Sequence, residues 1–261
     1  MPKRARVWNI DKYNRYVREG RGQGEGQSYL PWVQVQDFAS QGTVSRVAGS
    51  KTDRVHHFMS SMEKNYFYLL EWSDDVLDIR EQYPLLDVEL AVGLAGKAGM
   101  RYPRDPVSGF PYVLTCDFMI TTKHGPKART IKQSSELNNL RTLEKLELER
   151  RYWKSAGVDW RVVTEREIPA QKVRNIEWLH TARHFPDEIK GLANGSFFHH
   201  LEDFCSQSNS TPFNMGARMD QIYGLPGGTG LQAIRYLLWT KQLPCELDPE
   251  IQICPRALLA S

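Results

Sequence analysis

The chain has little cysteine, with four residues in 261, at positions 116, 205, 245 and 254, and no C-x-x-C pair. That spacing argues against a zinc site and against a disulfide framework, and it fits a reducing cytosol. Cys116 reads as buried packing in a strand. No apolar run is long enough to span a bilayer. The opening residues, Met1-Pro2-Lys3-Arg4-Ala5-Arg6, are basic, but no apolar segment follows, so no secretory signal is expected. No internal repeat is visible. What remains is an ordinary globular composition, long enough for one large domain or two modest ones.

The formal net charge of +3 says little until its distribution is read. Residues 1–22 carry an excess of five positive charges, whereas residues 171–261 carry one excess negative charge. Residues 1–27 read as a basic arm, because Gly alternates with polar residues from Arg18 to Gly26 and offers nothing to a core. Such an arm is either a phosphate binder, with Arg18 and Arg21 as contacts, or a solvated tail. Lys51 and Arg54, around the polar turn Gly49-Ser50-Lys51-Thr52-Asp53, are further candidate DNA contacts.

A catalytic α/β domain is expected over residues 28–168. Short strands near residues 45–47 and 54–58 lead to a helix over 60–72, then a strand over 75–85 that stops at a proline. Residues 91–109, punctuated by Gly and Pro, read as an irregular loop. Val113 to Ile120 and Ala128 to Lys132 read as a hairpin around Lys123-His124-Gly125-Pro126. Folded symmetrically about His124-Gly125, that hairpin sets Asp117 opposite Lys132, with Thr130 on the same face. A carboxylate on one strand with a lysine and a polar residue on the next is the site plan of metal-dependent DNA nucleases. It is also what a surface ion pair looks like. Glu63 bears on the choice. It completes the capping box Ser60-x-x-Glu63, yet it shares a helical face with Tyr66, Phe67 and Leu70 that should pack on the sheet. A carboxylate there needs a partner or a metal. A charged helix from Leu140 to Trp153 and a strand over 158–163 complete the domain.

A composition shift near residue 169 suggests a second domain over 169–261. It reads as helices, among them Thr211 to Tyr223 and Gly230 to Thr240, followed by a small hairpin, which is a winged-helix-like arrangement. The second of these helices offers only Gln232 and Arg235 among apolar residues. That favours docking of a protein over reading of a duplex.

Several stretches resemble the TnsA family. They are Arg18-Glu19-Gly20-Arg21-Gly22-Gln23-Gly24, Arg54-Val55-His56-His57, Ser60-Ser61-Met62-Glu63, Leu77-Asp78-Ile79-Arg80-Glu81-Gln82, Thr115-Cys116-Asp117-Phe118 and Arg141 to Trp153. Together they lie within residues 18–180. The resemblance implies a restriction-endonuclease-like mixed sheet flanked by helices. It implies Mg²⁺ chemistry with one or two ions, Mn²⁺ substituting, with Glu63 and Asp117 as metal-binding acids and Lys132 as the catalytic lysine. It also implies a bacterial, cytoplasmic role in cut-and-paste transposition. There the chain nicks DNA near the 5′ ends of the element, a separate DDE transposase cuts and joins the 3′ ends, and an AAA+ ATPase regulator docks in part on the C-terminal region.

The residues suit that chemistry. Hard oxygen ligands suit Mg²⁺, and the backbone carbonyl of Ile131 can add a third to the two carboxylates. Lys132 can orient or deprotonate a water, or neutralise charge on the phosphate. Thr130 departs from the pattern, because an acid or amide is common two positions before the lysine in such nucleases. Glu149 reads as an exposed partner of Lys145, although it can assist the site, and His56-His57 reads equally as strand-end packing. Two other readings stay open: an autonomous restriction-type nuclease, and a degenerate DNA- or ATPase-binding adaptor of the same fold.

Overall fold

The computed structural model describes residues 7–37, 43–184, 197, 199–201, 203, 211–248 and 251–253. The first six residues, with Lys3, Arg4 and Arg6, lie outside the described residues, as do Cys205 and Cys254. The chain divides into two compact units, Met1–Ile168 and Pro169–Ser261. Among the described residues no helix is long and apolar enough to cross a membrane.

The first unit is built on a four-stranded mixed sheet. Its strands are β3 (Val76–Pro84), β4 (Thr115–Thr122), β5 (Gly125–Ile131) and β6 (Asp159–Val163), hydrogen-bonded in that order. The first three are antiparallel, and β6 lies parallel to β5. A parallel neighbour needs a crossover, supplied here by α4 (Leu140–Ser155). Side chains alternate across the sheet. Met119 and Ala128 join Leu148, Tyr152 and Trp153 of α4 and Ala91 and Ala95 of α3 (Val88–Lys97) in one core. Phe118 faces the other way, 6.1 Å from Phe58 and 5.6 Å from Tyr66 in ring-centre distance. Those rings belong to β2 (Val55–Phe58) and α2 (Ser61–Trp72), and β2 pairs with β1 (Ser45–Ala48).

Three expectations need correction. First, residues 88–97 form α3 rather than loop. Its glycines cost helix stability, about 1 kcal/mol each. Ala91 and Ala95, four apart and fully buried, let α3 lie close against α4.

Second, the hairpin register differs by two residues. Thr122 pairs with Gly125 and Phe118 with Arg129, so the turn is Lys123-His124, and the ladder continued one step sets Asp117 against Thr130. Pro126 sits within the ladder, paired with Thr121. It faces β6 only beyond the first β6 pair, Lys127 with Asp159, so no strand asks for its missing N–H.

Third, residues 7–27 are not a coreless arm. Ile10–Arg18 is helix α1, capped by Asn9, whose side chain accepts the Lys12 N–H. Trp8 and Tyr16 bury their rings against Trp32, with centres 6.1 and 5.4 Å away. The glycine run that follows is a fixed turn. Gly22 has φ +74°, and a Cβ there would meet Pro84 Cγ at 2.3 Å.

The second unit contains α5 (Ala170–His180), α6 (Pro212–Tyr223), α7 (Thr229–Trp239) and a two-stranded hairpin, β7 (Cys245–Glu246) with β8 (Gln252–Ile253). Helices α6 and α7 meet backbone to backbone. A Cβ at Gly216 would come within 2.4 Å of the Leu231 nitrogen, and one at Gly230 within 2.4 Å of the Gly216 oxygen. Asp220 accepts the Gly228 and Gly230 N–H groups at 2.6 Å each, capping α7.

Candidate active site

The hairpin β4–β5 delivers Asp117 and Lys132 to one end of the sheet. Asp117 is largely buried, with 15% of its side chain exposed, and Oδ2 accepts the Ile131 N–H at 2.6 Å. The Lys132 ammonium stands 4.0 Å from that oxygen and donates to the Ile131 carbonyl at 2.9 Å. The two-residue register difference still leaves Asp117 and Lys132 close together because side chains alternate with period two. Residues 130 and 132 occupy the same face, so Asp117 meets the lysine diagonally instead of directly. A slip of one would have turned the lysine away.

Glu63 reaches this end from the first turn of α2. The Ser60 hydroxyl caps the helix, accepting the Glu63 N–H at 3.2 Å, and donates to Glu63 Oε1 at 2.9 Å. Oε2 accepts the Met59 N–H at 2.9 Å and the Gln82 amide at 3.1 Å. Burial, then the nearby charge of Asp117, pushes the Glu63 carboxyl up to about 7. Burial also raises Asp117, against the opposing pull of Lys132 and the Ile131 N–H.

Glu149 also belongs here, contrary to its reading as an exposed partner of Lys145. It is 7% exposed, and Oε2 accepts the Thr130 hydroxyl at 2.5 Å. The Trp160 indole donates to that hydroxyl at 3.2 Å. Burial drives the Glu149 carboxyl up to about 8, and Asp117 adds to the push, while the Thr130 hydrogen bond opposes it. The signal was present in the sequence. Leu146, Glu149 and Trp153 are spaced three and four apart, which sets Glu149 on the buried stripe of α4.

Two residues expected to contact DNA are instead engaged by the protein itself. Arg54 gives its guanidinium to Glu81, at 2.8 and 2.5 Å, and to the Ile79 carbonyl at 2.7 Å. Arg21 is bound to Glu19 at 2.7 Å, Asp37 at 2.6 Å and the Trp32 carbonyl, and lies 3.7 Å from the Tyr16 ring centre. Both side chains are largely buried, at 10% exposure for Arg21 and 7% for Arg54, and each guanidinium is held by carboxylate and carbonyl oxygens of the protein itself. Arg18 is exposed and Lys51 half-buried. His56 is buried packing, its ring between Thr52 and Glu81 at 2.8 Å on each side.

Among the described residues no group of three or more His, Cys, Asp or Glu side chains is arranged to hold a metal. The donor set is smaller: two carboxylates and a backbone carbonyl, all hard oxygens, which fits Mg²⁺ or Mn²⁺ better than a thiophilic ion. Two acids buried side by side, one raised by the other's charge, are the surroundings in which a cation would be stabilised.

A helix-flanked mixed sheet with acids and a lysine gathered at the end of one hairpin defines a class, the restriction-endonuclease-like enzymes. Residues 73–165 match the family model described as TnsA-like endonuclease N terminal, and residues 167–247 that described as TnsA endonuclease C terminal. The Transposon Tn7 transposition protein TnsA of Escherichia coli is 38% identical over 226 residues, covering 85% of this chain and 81% of that protein. The chain belongs to the TnsA family and is a DNA endonuclease.

Proposed function

We propose that this chain is the nuclease subunit of a heteromeric transposase, cleaving the non-transferred strands at the 5′ ends of the element in a Mg²⁺-dependent reaction. The observation that carries the proposal is the convergence of Glu63, Asp117 and Lys132 at one sheet end in a chain of this family.

Glu63, Asp117 and the Ile131 carbonyl are the groups that would hold the metal. When bound, the ion supplies charge relief to the phosphate and acidifies a water. Lys132 brings positive charge beside Asp117 and is placed to neutralise the scissile phosphate or orient the attacking water. Thr130 spends its hydroxyl on Glu149, so it acts through that acid instead of as a ligand of its own. Double-stranded DNA at the transposon ends is the substrate. A DDE transposase subunit processes the 3′ ends, and an AAA+ ATPase regulator docks on the C-terminal helical unit. In that unit Arg235 donates to the Trp178 carbonyl and the Thr181 hydroxyl, and its guanidinium lies 4.4 Å from the Trp178 ring centre. With Arg235 held inside the unit, α7 has less to offer a duplex, which supports the protein-docking reading.

The test is strand-resolved mapping of breaks with the chain, its transposase and regulator partners and Mg²⁺, comparing wild type with Asp117→Ala. Loss of 5′ nicks with 3′ processing retained is expected. Equal 5′ nicking by both proteins would leave a degenerate adaptor as the better reading, and cleavage by the isolated chain would favour an autonomous nuclease.

A further inference from the structure

Gln82 is the residue beside the site that the nuclease reading leaves unused. The β3–β4 register, through the pairs Glu81 with Phe118 and Tyr83 with Cys116, sets it across from Asp117. It is 5% exposed, and its φ is +49°. That left-handed conformation, inside a strand and at a residue with a Cβ, persists only when the surroundings impose it. They do so here at two successive carbonyls. The Tyr29 hydroxyl donates to the Glu81 carbonyl at 3.0 Å, and the Trp32 N–H donates to the Gln82 carbonyl at 3.3 Å.

The side chain is fixed at both ends of its amide. Oε1 accepts the Thr115 hydroxyl at 3.4 Å, and Nε2 donates to Glu63 Oε2 at 3.1 Å. The ionised carboxylate, the form that would bind a cation, only accepts, so the amide faces it with its NH₂. Oε2 of Glu63 therefore receives two donors, the Gln82 amide and the Met59 N–H, whereas Oε1 receives one, the Ser60 hydroxyl. Each carboxylate oxygen offers about two lone-pair sites. Oε2 is filled, and Oε1 keeps one direction open.

We propose that Gln82 is a positioning residue that occupies Oε2 of Glu63 and so presents Oε1 as the single oxygen offered to a divalent cation. This rests on Glu63 and Asp117 being the metal-binding acids. It explains why a buried strand position holds a strained glutamine: with an apolar residue only the Met59 N–H would occupy Oε2, so both oxygens would have a direction open to the cation, and a glutamate would add a third negative charge beside two acids that already disfavour each other.

The experiment measures Mn²⁺ binding to the metal-free full-length chain by calorimetry and electron paramagnetic resonance, for wild type, Asp117→Ala and Gln82→Met. Methionine keeps the length and removes the amide. Outer-shell partners of metal ligands typically account for 10–100-fold in affinity. Gln82→Met should therefore bind Mn²⁺ roughly tenfold or more weakly, at a melting temperature close to wild type. In the assembled reaction, the Mg²⁺ concentration for half-maximal 5′ nicking should rise in step, while the rate at saturating Mg²⁺ changes less. If Gln82→Met does not fold, Gln82→Gly, which adopts the same φ without strain, is read in its place. Unchanged Mn²⁺ affinity in a folded variant overturns the proposal, provided Asp117→Ala has lost Mn²⁺. If Asp117→Ala binds Mn²⁺ as wild type does, the ligand assignment itself fails, and this proposal fails with it.

Discussion

Glu81 and Glu63 are both buried acids on the elements that frame the sheet, yet their charges have opposite fates. Burial alone would raise the Glu81 carboxyl. The His56 ring at 2.8 Å and the two Arg54 contacts outweigh it and hold the group at about 2. The His57 N–H, at 3.0 Å, adds a further donor. Glu63 has neutral hydrogen-bond donors, and burial and the neighbouring Asp117 charge outweigh these and the lesser pull of Lys132, so it is raised to about 7. Glu149, beside Thr130, is raised to about 8. The fold compensates Glu81 with cations, and leaves Glu63 and Glu149 undercompensated at the sheet end where we propose that the metal is held. Glu81 is adjacent to Gln82, so the fully compensated acid also anchors the strand that supports the other set.

That contrast breaks most severely at Arg54. Arg54→Ala leaves Glu81 buried with half its compensation gone, and should cost about 3–5 kcal/mol, read as a fall in the denaturation midpoint. Asp117→Ala should have the opposite sign, because it removes charge that Glu63 and Glu149 both oppose, and should leave stability unchanged or improved while nicking is lost. If Arg54→Ala is as stable as wild type, Arg54 does not compensate the buried charge of Glu81. The pH directions differ as well. Glu81 has a depressed pKa, so its contribution is present above the unfolded value of 4.5 and is lost as pH falls through about 2.

Glu149 gives a smaller effect with a clear sign. Its folded value, about 8, lies above the unfolded 4.5. Its contribution is therefore complete below about pH 4.5 and lost as pH rises through about 8. In chelator-treated protein, wild-type stability should decline across that window. Glu149→Gln, which mimics the protonated acid and keeps an acceptor for the Thr130 hydroxyl, should flatten the decline by an amount on the order of 2 kcal/mol. Parallel pH curves for the two proteins would place the Glu149 carboxyl in contact with solvent.

Much of this was legible because it depends on period. The strands around Asp117 and Lys132, the Ser60 cap, the helix ending at Gly224 with φ +61°, and the α4 crossover all follow from local patterns. The hairpin register was misjudged by two, since Gly125-Pro126 is turn chemistry by composition but strand by position, and only β6 beginning at Asp159 reveals that Pro126 owes no hydrogen bond. Long-range pairing was not legible. Nothing near Arg54 in sequence announces Glu81, and nothing near Arg21 announces Asp37. The N-terminal helix was hidden by its polar neighbours, although Trp8, Tyr13 and Tyr16 belong to one aromatic cluster.

The same comparison, internal against external charge, separates the N-terminal cations and gives the smallest effect. Arg21 holds Glu19, Asp37 and the Trp32 carbonyl. Arg18, with Lys12 and Arg15, borders a concavity of about 680 Å³ along α1 that also contains Asp11 and Asp37. Both arginines are positive and three residues apart, so a purely electrostatic arm would weaken on DNA equally when either is removed. Burial predicts otherwise. Arg18→Ala should lower nonspecific duplex affinity modestly and reduce the slope of log affinity against log salt by about 0.9, the counterion release of one phosphate contact. Arg21→Ala should lower the melting temperature, and under conditions where it stays folded it should leave that slope unchanged, because its charge is already matched inside the protein. Equal slopes for Arg18→Ala and wild type would remove α1 from the DNA path and leave its basic residues as solvated surface.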